Sequence, residues 1–166
     1  VYDENGNPIE GEYVDRNEDG QITPDDRYRF ENPAANWFFG INGRVNYKKW
    51  EFTFSGRAKL GGYIYNNVQS DQAQYARVYN STGFLANAHA DIKEIGFENP
   101  EYFSDFYVQK ADFFRLDNVS LSYDFGAIAN DKISNLKLFV TAQNLVLMTN
   151  YGGLDPEVGG IDGNVY

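Results

Sequence analysis

Asp15, Asn17, Asp19 and Asp26 place oxygen side chains at positions one, three, five and twelve of a twelve-residue stretch, with Gly20 at position six, which is the spacing of a calcium-binding loop. A hard cation needs several oxygens wrapped tightly around it. Gly20 permits the sharp turn, Gln21 offers its backbone carbonyl, and Thr23 can act directly or through water. Asp26 stands where a bidentate glutamate is usual, and Gly6, Pro8 and Gly11 upstream argue against a paired helix-loop-helix sensor. The expectation is a stand-alone structural Ca2+ site built from Asp15, Asn17, Asp19, Gln21 and Asp26, with the weak affinity of an extracellular module. The plainer alternative is a solvated acidic turn.

Other chemistries are poorly served. His89 is the sole histidine, and no nucleophile-elbow pattern lies near it, so a Ser-His-Asp triad has little to draw on. The neighbouring carboxylates Asp25 and Asp26 are accounted for by the acidic loop rather than by acid-base work. Cysteine is absent, which removes disulfides, thiolate metal sites and thiol nucleophiles. A formal charge of −10 gives no electrostatic footprint for nucleic acid. The chain is not expected to be an enzyme, and no catalytic residue is assigned. The aromatic residues crowded between Tyr63 and Tyr107 could stack on sugars or pack beneath a partner, but packing among themselves explains them equally well, so no substrate site is named.

The elements that must carry these residues are strands. Trp37–Tyr47 places Trp37, Phe39, Ile41, Gly43, Val45 and Tyr47 on one face, and Gly40, Asn42, Arg44 and Asn46 on the other with Phe38 as the apolar exception. Trp50–Leu60 sets Trp50, Phe52, Phe54, Gly56, Ala58 and Leu60 against Glu51, Thr53, Ser55, Arg57 and Lys59. About 11 residues at ~3.3 Å each, tilted by ~45°, cover roughly 26 Å, the height of the apolar band of outer-membrane barrels. Trp37 falls at one rim, and Tyr47 with Trp50 at the other, where amphipathic rings are comfortable. A soluble sandwich with one buried face alternates in the same way. No run of 18 apolar residues predicts a membrane helix, a test to which barrel strands are invisible.

Residues 1–35 read as an acidic loop carrying the calcium motif, 36–61 as a first hairpin, and 62–112 as a long connection with a short helix around Asp71–Tyr79 or Thr82–Ile95. Residues 113–147 read as a second hairpin, with strands Phe113–Phe125 and Leu136 to about Leu147 separated by a turn region around 126–135. Residues 148–166 return to loop. Alternation fails at Arg115–Asp117. Short turns fall on one side of these strands and long polar loops on the other, matching the brief periplasmic turns and long extracellular loops of outer-membrane barrels. Arg44, Arg57 and Lys59 then line a watery lumen. Four strands cannot close a barrel, so the chain is expected to be a piece of a larger one.

The phrases Ser104-Asp105-Phe106-Tyr107-Val108-Gln109, Phe113-Phe114-Arg115-Leu116-Asp117-Asn118-Val119-Ser120-Leu121-Ser122-Tyr123, Val140-Thr141-Ala142-Gln143-Asn144-Leu145 and Gly153-Leu154-Asp155-Pro156-Glu157-Val158 resemble the C-terminal part of SusC/RagA-family TonB-dependent transporters of Bacteroidetes. The acidic loop ahead of the first hairpin and the order of the pieces fit the same family. The resemblance implies an all-β, antiparallel transmembrane barrel of about 22 strands in the outer membrane, closed by a plug and importing glycan or peptide fragments with energy delivered through TonB. It implies four kinds of neighbour: a SusD-like surface lipoprotein as lid, the rest of barrel and plug, outer-membrane lipid, and TonB acting through a segment this sequence does not contain. After the Ile161–Tyr166 phrase the family continues into a final strand. The alternative is a soluble, calcium-stabilised β-sandwich that binds carbohydrate.

Overall fold

The computed structural model describes residues 1–79, 83, 86–128 and 133–157. Among these described residues there are six strands: β1 (Trp37–Tyr47), β2 (Trp50–Leu60), β3 (Tyr63–Tyr65), β4 (Val108–Lys110), β5 (Phe113–Ile128) and β6 (Ile133–Thr149). They form two sheets, one four-stranded in the order β1-β2-β5-β6 and one pairing β3 with β4, all antiparallel. The chain divides into two compact units. One holds Val1–Pro33, Tyr63–Lys110 and the segment from Tyr151 on; the other holds Ala34–Gly62 and Ala111–Asn150.

The second unit is the four-stranded sheet. β1 and β2 pair without a slip from Trp37↔Leu60 to Tyr47↔Trp50, so two residues, Lys48 and Lys49, make the turn. Lys48 takes φ +55°, the left-handed conformation such turns demand and that Gly or Asn usually supplies. Cross-strand partners share a face, so Phe52↔Leu121↔Val140 and Trp50↔Tyr123↔Leu138 lie on one side of the sheet. Thr53↔Ser120↔Thr141 and Glu51↔Ser122↔Phe139 lie on the other. Phe54 closes over Gly43, its register partner, whose missing side chain leaves room for the ring.

Alternation fails at Arg115–Asp117 because the strand bulges there. Asn118 pairs with Ser55 but Leu116 pairs with Gly56, so β5 holds one residue more than β2 at Asp117. Against β6 the count shifts again, Asn118↔Gln143 giving way to Leu116↔Val146, with Asn144 at φ +49° in the extra position. The bulge exchanges faces along β5. Arg115 now pairs with Arg57 on the charged side, and Leu116 joins Gly56 on the apolar side. Further shifts near Gly126 carry β5 to Ile128, beyond the Phe125 end that periodicity suggests, and β6 begins at Ile133 rather than Leu136. Residues 129–132 of the connecting turn lie outside the described residues.

Within this sheet only Gly56, Phe113 and Ser122 are buried among the described residues. A sandwich would bury one whole face under a second layer; this sheet is a wall without an interior.

The other unit has a small core of its own, in which Ala73, Ile92, Phe97 and Tyr107 are buried with Asn66, Gln69, Ser70, Gln74 and Glu101. Among the described residues of the long connection there are three short helices: α1 (Asn67–Gln72), α2 (Tyr75–Val78) and α3 (Ile92–Ile95). Thr82, where the second of the expected helices would start, lies outside the described residues. Asn66 begins α1 by accepting the Gln69 backbone N–H (3.1 Å), while its own N–H donates to the Tyr107 carbonyl (2.8 Å). Gln109 on β4 donates to the Gln69 side chain (2.8 Å) and accepts from the Gly152 N–H (2.9 Å), tying three segments together.

Candidate functional site

The acidic loop closes on itself through carboxylates that accept backbone N–H groups. Asp15 accepts from Asp19 (3.3 Å) and Gly20 (2.7 Å), and Asp19 accepts from Gln21 (2.8 Å). The Asn17 amide donates to the Asp19 carboxylate (2.9 Å), and its carbonyl oxygen accepts from the Asp19 N–H (3.1 Å). Gly20 at φ +79° makes the turn. Asp26 reaches back from the far end, accepting from Arg16 (2.9 Å) with one oxygen and from Thr23 (2.7 Å) with the other. Thr23 and Asp26 thereby form a capping box for the short 3-10 turn Pro24–Asp26. The Thr23 and Arg16 N–H groups hold the Asp26 carboxyl below the usual carboxylate range.

Asp15, Asn17 and Asp19 are thus brought together at the tight end, while Asp26 latches the loop across positions 16 and 23. Among the described residues no three His, Asp or Glu side chains converge into a ready metal cage. The donor set is nonetheless all hard oxygen. Each carboxylate oxygen of Asp15 and Asp19 accepts one N–H and retains a lone pair, which is the chemistry Ca2+ requires. One oxygen of Asp26, in contrast, is taken by the N–H groups of both Arg16 (2.9 Å) and Asn17 (3.5 Å), and its other oxygen accepts from Thr23 alone.

Aromatic hydroxyls at the loop's flanks, not evident from the motif, anchor it to residues 98–105. Tyr2 and Tyr28 donate to the two oxygens of Asp105 (3.0 and 2.9 Å), and Tyr13 donates to the Tyr102 carbonyl (2.8 Å). Burial, then the Asp105 hydrogen bond, pushes the Tyr2 hydroxyl up to about 12, so it remains a donor. The Arg16 guanidinium lies 4.0 Å from the Tyr28 ring centroid, and Arg27 lies 4.4 Å from that of Phe103. Glu10 accepts the backbone N–H groups of Glu98 (3.0 Å) and Asn99 (2.8 Å), and Glu101 accepts that of Gly11 (2.9 Å). Tyr2, Tyr13 and Tyr28 stand outside the aromatic crowd that the sequence shows between Tyr63 and Tyr107, and their partners lie 103, 89 and 77 residues away, so no local signal marked them.

His89 faces Asp91 (3.4 Å), whose carboxylate also accepts from the Gln69 amide (2.6 Å), a polar cluster at the start of α3. On the sheet, charges pair along the face that alternation assigned to water. Glu51 joins Lys137 (3.0 Å) and Arg44 (3.8 Å), and Arg57 meets the bulged Asp117 (3.1 Å). Phe38, the apolar exception there, lies beneath the Lys59 ammonium. The opposite face is aromatic and aliphatic, with Trp50, Tyr123 and Phe125 in edge-on succession at 4.7 and 4.6 Å between centroids.

This two-faced wall is matched in known proteins. TonB-dependent receptor SusC of Bacteroides thetaiotaomicron is 36% identical over 173 aligned residues, covering 100% of this chain and 17% of that protein. The RagAB peptide importer in its "closed-closed" state superposes with a TM-score of 0.65 at 20% identity, over 96% of this chain and 18% of that one. The chain fits a segment of a SusC/RagA-family TonB-dependent receptor. Its sheet is accordingly a partial barrel of that family's fold. TonB-dependent receptor P3 of Formosa agariphila, 27% identical over 153 residues, covers 87% of this chain and 15% of its own length. The chain therefore spans about one sixth of the curated relatives it matches. No protein-family model matches it.

Proposed function

We propose that this chain forms part of the barrel wall and outer loops of a TonB-dependent outer-membrane transporter that imports glycan or peptide fragments. The observation that carries this reading is the wall itself, a sheet with one apolar face, one charged face and no interior, matched over its whole length by SusC. Long connections leave one end of the sheet, while the opposite end carries the Lys48-Lys49 turn. The long-loop end faces outward and meets a SusD-like lipoprotein and the cargo; the charged face lines the lumen against the plug, and the apolar face meets lipid. TonB acts on a part of the receptor other than this wall.

The test is arginine scanning in the full-length receptor. Val45→Arg and Phe54→Arg should block insertion into liposomes and uptake by cells, while Asn42→Arg on the opposite face leaves both intact. Equal tolerance at all three positions would sink the reading.

We also propose that Asp15, Asn17, Asp19, the Gln21 carbonyl and Asp26 hold a structural Ca2+. The oxygen donor set, the Gly20 turn and the carboxylates clustered at residues 15–19 support it. Asp15→Ala combined with Asp19→Ala should abolish calcium binding in calorimetry on the full-length receptor; unchanged binding refutes the site.

A further inference from the structure

The apolar face of the sheet is not uniform. Near the Lys48-Lys49 turn it opens into a groove of about 510 Å³, lined by Trp50, Leu121, Tyr123, Phe125, Leu138 and Val140, with Phe139 of the opposite face joining the lining on the outer strand β6. The aromatic succession Trp50-Tyr123-Phe125 forms one part of its lining, and Leu138 and Val140 on β6 another. This is an open trough with room for hydrocarbon, not an enclosed cavity for a polar metabolite.

At the turn end of the trough the charge is anomalous. On the water-facing side of the sheet Arg44, Arg57 and Lys137 all have carboxylate partners. Lys48 and Lys49 make no ion pair among the described residues; the Lys48 ammonium lies 5.4 Å from the Tyr47 ring centroid, over a residue of the apolar face. The turn is held in place, because the Asp124 N–H donates to the Lys49 carbonyl (2.9 Å). Lys48 also occupies a left-handed position where Gly or Asn costs less, so local backbone preference does not account for a cation there.

Two unpaired ammonium groups beside an apolar trough complement one kind of molecule, an anionic phospholipid with its phosphate at the turn and an acyl chain along the sheet. We infer that this end of the wall is a specific site for an anionic phospholipid of the membrane leaflet on the short-turn side. Trp50 and Tyr123 sit between headgroup and chain, where their amphipathic rings bridge the two environments. The inference rests on the proposed membrane placement of the sheet.

The experiment uses the full-length receptor, stripped of lipid in micelles, supplied with dioleoylphosphatidylglycerol or dioleoylphosphatidylcholine, and read by native mass spectrometry. Wild type should retain the anionic lipid with a preference on the order of tenfold, as two interfacial cations warrant. K48Q/K49Q should erase that preference, and L138W/V140W, which fills the trough, should reduce retention of both lipids. No headgroup preference in wild type, or full preference in K48Q/K49Q, overturns the site. Insertion of the same preparations into liposomes separates the two readings. An inserted receptor without preference refutes the lipid site alone, whereas failure of the wild-type receptor to insert refutes the membrane wall and the site together.

Discussion

Asp26 shows how one carboxylate can organise a loop. It is buried, and its two oxygens take N–H groups from both sides of the acidic turn, so the loop is closed by the charged form of this side chain. Its pKa is lowered on folding, so the stability it contributes is present above the ordinary carboxylate value of 3.8 and is lost as pH falls through the depressed one. Hydrogen exchange of the 13–28 segment in the full-length receptor, corrected for intrinsic rates, should stay slow at pH 5 and accelerate only below that ordinary value. Asp26→Asn, which retains a single acceptor oxygen, should exchange fast even at neutral pH. A loop equally protected in the variant would mean that Asp26 is not the latch. The spacing of the acidic motif was legible because its residues are local in sequence. The tyrosine anchors were not, because a phenol's partner depends on which distant segment folds beside it.

At the scale of elements, the bulge in β5 decides which side chains face water. Without it, strict alternation from Val119 would put Asp117 on the apolar face and Leu116 on the charged one. With it, Asp117 pairs with Arg57, Leu116 joins the apolar side, and Arg115 turns to the charged side. Gly56 makes the close approach possible, since a Cβ there would stand 2.8 Å from the Arg115 carbonyl oxygen. Gly56→Ala should therefore destabilise the wall by about 1–3 kcal/mol, the usual cost of overpacking, measured by urea unfolding of the full-length receptor in micelles. Unfolding at the wild-type urea concentration would show that the bulge can yield freely. Strand ends near the bulges were misjudged from the sequence for the same reason. Each inserted residue reverses the face of everything beyond it, and periodicity counts as though none were present.

At the scale of the molecule, the wall's two faces have opposite solvation requirements. Near the middle of a bilayer, arginine on the lipid side costs roughly 2–4 kcal/mol, falling toward zero at the interfaces, so Val45→Arg and Phe54→Arg are the severe substitutions. Asn42, one step from Gly43, the register partner of Phe54, lies close to the depth of Phe54 in the opposite environment, whereas Val45 lies about 7 Å nearer the turn. β1 and β6 are the outer strands of the sheet, each pairing on one side among the described residues. In hydrocarbon their remaining backbone groups need further strands, which is why so short a wall belongs with a larger barrel.

The sequence by itself determined the alternating strands, the two-residue turn, the opposition of apolar and charged faces and the oxygen-rich loop, because each depends on residues within a few positions of one another. The bulge that reassigns Arg115 and Asp117, the Asp105 clasp on Tyr2 and Tyr28, and the trough beside Lys48 and Lys49 were decided only in three dimensions. Each of those requires a register or a contact between segments distant along the chain, and a linear pattern carries no record of which distant neighbour arrives, or one residue out of step.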